Sequence, residues 1–149
     1  MRRGKEAPSL MKDKCATIVA MPIKPSDAAL SATTLQNAHQ WHRQWKDRLI
    51  AAVNAGATID TSCIGRDDCC DLGKWLYADG QRLHWKKPEF QHLLIHHREF
   101  HMLTGAVAEV INDKQFALAQ AYLSNDTQLA RASQEVEDAI CRLESAVAG

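Results

Sequence analysis

The sequence predicts an all-α protein, an up-and-down four-helix bundle with one short inserted helix. Three observations support that reading. Apolar residues recur at spacings of three and four through long segments, and no alternating stretch long enough for a strand is present. Gly, Pro, Ser, Thr, Asn and Asp gather in the intervals between those segments. With 149 residues, 46% hydrophobic and 24% charged, the chain suits a single domain that buries a useful core.

Residues 1–27 hold Pro8, Pro22 and Pro25, mixed charges and no sustained period, which predicts a flexible N-terminal tail ahead of a bundle over residues 28–149. From Ala28 to Gly56 the residues Leu35, Ala38, His42, Trp45, Leu49, Ala52 and Val53 fall at helical spacing and form the first long helix. The stretch from Ala57 to Cys69 is rich in Thr, Ser, Gly and Asp. It reads as a loop leading into a short helix that starts near Cys70, runs through Trp75 to Tyr77 and is closed by Gly80. Pro88 suits the first turn of a second long helix, where Phe90, Leu93, Leu94, Phe100, Thr104, Val107, Ala108 and Ile111 make one stripe ending near Asn112. A shorter helix places Phe116, Ala119 and Leu123 inward, and Ser124-Asn125-Asp126 supplies a turn and a cap. Leu129, Ala132, Val136, Ala139, Ile140, Leu143 and Val147 mark the last helix.

Eighteen Lys and Arg balance eighteen Asp and Glu, so the charge shows no footprint for nucleic acid or for an anionic membrane surface. No apolar run of about 18 residues exists to span a bilayer. Lys12 and Lys14 stand where the apolar part of a secretory signal would already have begun, and a cytoplasmic location is therefore expected. The odd set Cys15, Cys63, Cys69, Cys70 and Cys141, in a chain long enough to fold without staples, gives no expectation of a disulfide framework.

All seven histidines fall between His39 and His101, which raises a metal hypothesis beside the plainer one of solvated surface histidines. Helical facing separates them. His97 and His101 stand four residues apart within the apolar stripe of the second long helix, the spacing by which one helix offers two imidazoles to one ion. Two hydrogen-bonded core histidines are the competing account, although adjacent inward imidazoles need several buried partners. His96 and His92 lie off the stripe and read as surface residues. On the first helix His42 lies near the centre of the apolar arc, with Trp45 one turn on, whereas His39 lies on the flank with Lys46. A fourth donor would come from Cys69 or Cys70, because helix N-terminal amides favour a thiolate and only one of two adjacent cysteines easily points into the same site.

Three elements, His42-Arg43-Gln44-Trp45, Cys70-Asp71-Leu72-Gly73-Lys74-Trp75 and His97-Arg98-Glu99-Phe100-His101, resemble the chemoreceptor zinc-binding (CZB) domain family. That family's pattern is His-x-x-Trp, then Cys-x-Leu-Gly-x-Trp, then His-x3-His, and the likeness extends over roughly Leu35 to Val147. The resemblance implies Zn2+ held by His42, Cys70, His97 and His101. It also implies a commonly dimeric bundle that regulates bacterial chemoreceptors or diguanylate cyclases. Since the sequence shows neither a receptor hairpin nor a cyclase domain, the expected function is a zinc-binding regulatory module acting in trans, as a homodimer, on a chemoreceptor or diguanylate cyclase partner, without nucleic acid or membrane.

Two other functions compete. An enzyme fares poorly, because there is no His-Glu-x-x-His sequence and four protein donors leave a zinc ion no open position. A redox sensor would release zinc on oxidation of its thiolate, with Cys69 as a resolving thiol, and a purely structural zinc protein is the plainest alternative. A di-iron bundle is excluded by the scarcity of inward carboxylates on the helices.

Overall fold

A computed structural model describes residues 27–148, which form helices joined by short loops and turns, with no strand among the described residues. The expectation of an all-α bundle holds. The expected tail over residues 1–27 lies outside the described residues except for Asp27, which begins helix α1, Asp27–Ala55. Leu35, Ala38, His42, Leu49 and Val53 are the buried face of α1, at steps that repeat every turn or two. At its end Gly56 takes a left-handed φ of 64°, its amide bonds to the Val53 carbonyl at 3.2 Å, and the Ala57 amide bonds to Ala52 at 3.0 Å. That pairing closes the last open carbonyls, and a side chain at residue 56 would strain it.

After α1 come three short helices, α2 (Thr61–Ile64), α3 (Asp71–Leu76) and α4 (Asp79–His84). The long α5 (Pro88–Asn112), the short α6 (Phe116–Tyr122) and α7 (Gln128–Ala148) follow. The α5–α7 interface is the most extensive, α1 lies along α7, and α6 rests on α5 and α1. Phe90, Leu93, Phe100, Val107 and Ile111 of α5 meet Leu129, Val136, Ile140 and Leu143 of α7 in one apolar core. No helix among the described residues is long and apolar enough to cross a membrane.

Two of the short helices depart from the sequence reading. The loop expected from Ala57 to Cys69 contains α2, whose first turn is capped by the Asp60 carboxylate accepting from the Ser62 amide at 2.9 Å. Gly80 does not close a helix but lies inside α4, where a Cβ would come within 2.8 Å of the Trp75 ring and carbonyl. A missing side chain at residue 80 is thus what lets α4 sit on α3. The segment before α2 is fixed from the far end of α5: Asn112 accepts from the Ile59 amide at 2.7 Å and donates to the Ile59 carbonyl at 2.8 Å.

Candidate metal centre

Cys70 stands at the N-cap of α3, its sulfur accepting from the Gly73 amide at 3.3 Å. Gly73 brings α3 down onto the preceding loop so closely that a Cβ would lie 2.0 Å from the Asp67 carbonyl oxygen. The short helix and its capping thiol are seated together by that approach. Opposite them, α5 presents His97 and His101, each only 2% exposed, with ring centroids 4.6 Å apart. The Cys70 sulfur lies 3.3 Å from His97 Nε2 and 3.6 Å from His101 Nε2. All three donor atoms fall within 4.8 Å of one another.

The orientation of His101 is fixed from behind. Its Nδ1 donates to the Ile64 carbonyl of α2 at 2.9 Å, which leaves the Nε2 lone pair facing the thiol. His97 Nδ1 is buried with no hydrogen-bond partner among the described residues. Trp45 closes the centre on another side, its ring centroid 6.1 Å from that of His101.

His42 is buried and lines the same small cavity as Trp45, Cys70, His97 and His101, packed on Phe100 with ring centroids 4.1 Å apart. Neither of its ring nitrogens joins the other three donors within 4.8 Å. Its Nε2 donates to the Ser133 carbonyl of α7 at 3.1 Å and stands 2.8 Å from the Ser133 hydroxyl. Of the four expected ligands, three converge, and the fourth borders the cavity with one ring nitrogen committed elsewhere.

Burial, partly offset by the bond to Ser133 and helped by the neighbouring rings, holds the imidazole of His42 down to about 4, and burial with the neighbouring rings holds that of His97 down to about 3. Burial lowers His101 as well, partly offset by its bond to Ile64. At neutral pH all three rings are therefore neutral, the form that coordinates a metal. Burial pushes the Cys70 thiol up, opposed by the Gly73 and Leu72 amides, so a nearby cation is needed to hold it as thiolate. One sulfur and neighbouring neutral nitrogens lining one small pocket fit a tetrahedral zinc ion.

Cys69 corrects an expectation. It is bonded to Cys63 of α2 in a disulfide, so it is not a spare thiol beside Cys70, and with Cys141 also disulfide-bonded the chain holds disulfides where no such framework was expected. The six-residue separation hides this pairing in the sequence, because α2 was read as part of a loop. His92 is exposed, as expected, and His96 faces Glu135 at 3.6 Å. His39, expected on the flank, lies against Glu144 at 3.4 Å and Cys141 at 3.8 Å, in a second group of donor atoms between α1 and α7. There the Cys141 sulfur is engaged in a disulfide. Ile64 and Ser133 escape a reading of the sequence because Ile64 acts through its backbone carbonyl, which leaves no residue-type signature, and Ser133 reaches His42 from a helix 91 residues away.

Residues 42–108 match the family described as the chemoreceptor zinc-binding domain. The matched span starts at His42 and contains Cys70, His97 and His101. No curated protein and no solved structure matches the chain. Zinc is the metal of that domain family.

Proposed function

Because this chain carries a chemoreceptor zinc-binding domain across its core, we propose that it is a zinc-responsive regulatory module of bacterial signalling, of the chemotaxis or cyclic-di-GMP type. The observation that carries the reading is the convergence of Cys70, His97 and His101 within that domain. We assign zinc to His42, Cys70, His97 and His101. His42 would join by turning its ring toward the cavity it already lines, since as it sits its Nε2 is held by Ser133 and neither ring nitrogen falls within 4.8 Å of all three other donors. Zinc bound there would stabilise the thiolate and tie together the segments that donate to it.

Regulation, not catalysis, is favoured because four protein donors fill a tetrahedral ion and leave no position for substrate or water. The donors come from α1, the cap of α3, and α5, so metal binding changes how separate segments are held. A zinc-dependent difference in that packing is what a signalling partner, a chemoreceptor or diguanylate cyclase met in trans in the cytoplasm, would read. Self-association as a homodimer completes the proposal. Trp41 beside the centre is 41% exposed and offers it apolar surface. With Cys69 held by Cys63, no free thiol among the described residues adjoins Cys70 to resolve an oxidised ligand, so the zinc response is preferred to the oxidant response.

Zinc content of the purified chain, followed by stepwise chelation, tests the reading. About one zinc per chain is expected, with most of it lost in His97→Ala and Cys70→Ser. Full zinc retention in either variant sinks the ligand assignment. Hydrogen exchange that is the same with and without metal leaves zinc as a structural staple and ends the sensor reading. Light scattering showing only monomer at high micromolar concentration removes the dimer.

A further inference from the structure

We propose that the Cys63–Cys69 disulfide is a redox clamp that positions the metal centre and sets how tightly it binds zinc. The proposal rests on the zinc reading above and adds a regulatory input to it.

The clamp joins the two backbone pieces that hold donors in place. Cys63 directly precedes Ile64, whose carbonyl fixes the His101 ring at 2.9 Å, and Cys69 directly precedes Cys70, whose sulfur faces both His97 and His101. Between them Gly65 packs on α5 so closely that a Cβ on Gly105 would stand 2.7 Å from the Gly65 Cα. Next along the loop, Asp67 and Asp68 lie under Gly73. The loop is thus braced at both ends, and the disulfide ties one brace to the other. Neither Cys63 nor Cys69 offers a donor to the centre while they are bonded, so their effect on zinc is one of position.

Cys63 is exposed, which opens the bond to thiol–disulfide exchange. A dithiol reductant supplies two electrons and two protons, the sulfur–sulfur bond breaks, Cys63 and Cys69 become thiols, and the reductant leaves as its own disulfide. Freed of the link, the Ile64 carbonyl and the Cys70 thiol move independently, and the donors must be re-ordered at the cost of metal affinity. Groups that orient a ligand from behind typically change metal affinity by about 10- to 100-fold when removed. The oxidised chain is therefore the tighter zinc binder by about tenfold or more.

The test is zinc competition against a chromophoric chelator with the full chain, oxidised and after reduction by a phosphine that binds zinc weakly. Reduction should weaken binding by about tenfold or more. The double variant Cys63→Ser/Cys69→Ser, in which the Cys141 disulfide stays open to the phosphine, should bind like the reduced chain and lose no further affinity on reduction, which assigns the effect to the clamp. A zinc-free arm follows the His101 ring by nitrogen NMR: its Nδ1–H signal should broaden or shift on reduction, and this arm stands even if the double variant fails to fold. Equal or tighter zinc binding after reduction, or an unchanged His101 signal, overturns the clamp while leaving the zinc centre intact. A chain that binds no zinc in either state, with Cys70→Ser indistinguishable from it, instead fails the underlying zinc reading, and the clamp falls with it.

Discussion

His42 of α1 gives its Nε2 proton to Ser133 of α7, with the carbonyl 3.1 Å and the hydroxyl 2.8 Å away. α7, which carries none of the three converging donors, is thereby tied to the residue of α1 that borders their cavity. Zinc should then protect α7 as well as α1. At zinc about 100-fold above its Kd, amides that exchange through openings that release the metal should slow by about 100-fold. Hydrogen exchange read around His42 and around Ser133 checks this, and protection confined to α1 would show that the bond transmits nothing.

Gly73→Ala should be among the most damaging single-methyl changes. The new Cβ would meet the Asp67 carbonyl oxygen at 2.0 Å, backbone that cannot swing aside as a side chain would. We expect a loss of about 1–3 kcal/mol in stability, measured by urea unfolding of the metal-free chain, together with weaker zinc binding as Cys70 is displaced. Unchanged unfolding would mean that the loop moves freely.

Asn112→Ala separates fold from metal. It strips both hydrogen bonds from Ile59 at the other end of the bundle and should cost about 1–3 kcal/mol. Zinc content should stay at the wild-type level. A parallel loss of zinc would show that the Ile59 clasp also positions α2.

The metal-free chain should weaken in mild acid. His42 and His97 titrate in the fold at about 4 and about 3, well below their ordinary 6.5. As pH falls past 6.5 the unfolded chain takes up protons first, so stability is lost from there down through 4 and toward 3. Urea midpoints at pH 7.5, 6 and 5, taken without metal, should fall in that order. A flat profile would mean that these rings are solvated.

Much of the fold was legible because its long helices obey one period. Leu35, Ala38, Leu49 and Val53, and the stripe from Phe90 to Ile111, face the core as their spacing required. His97 and His101 were legible for the same reason, since four residues on one helix cannot face apart. Short helices were less so. One turn over Thr61–Ile64 has no room for a period, and Gly80 reads as a terminator until Trp75 is seen against it. The Cys63–Cys69 link and the carbonyls of Ile64 and Ser133 depend on tertiary proximity, which no local pattern encodes.

The contact between Gly65 and Gly105 gives α5 a notch, one turn beyond His101, into which the α2 loop fits. A single methyl group at residue 105 would fill that notch and lift the loop away from the helix, carrying the Ile64 carbonyl with it. The chemistry of the centre is therefore tunable from a position that has no donor atom, no charge and no side chain. Drift in zinc affinity between related chains could arise there while every ligand stayed the same.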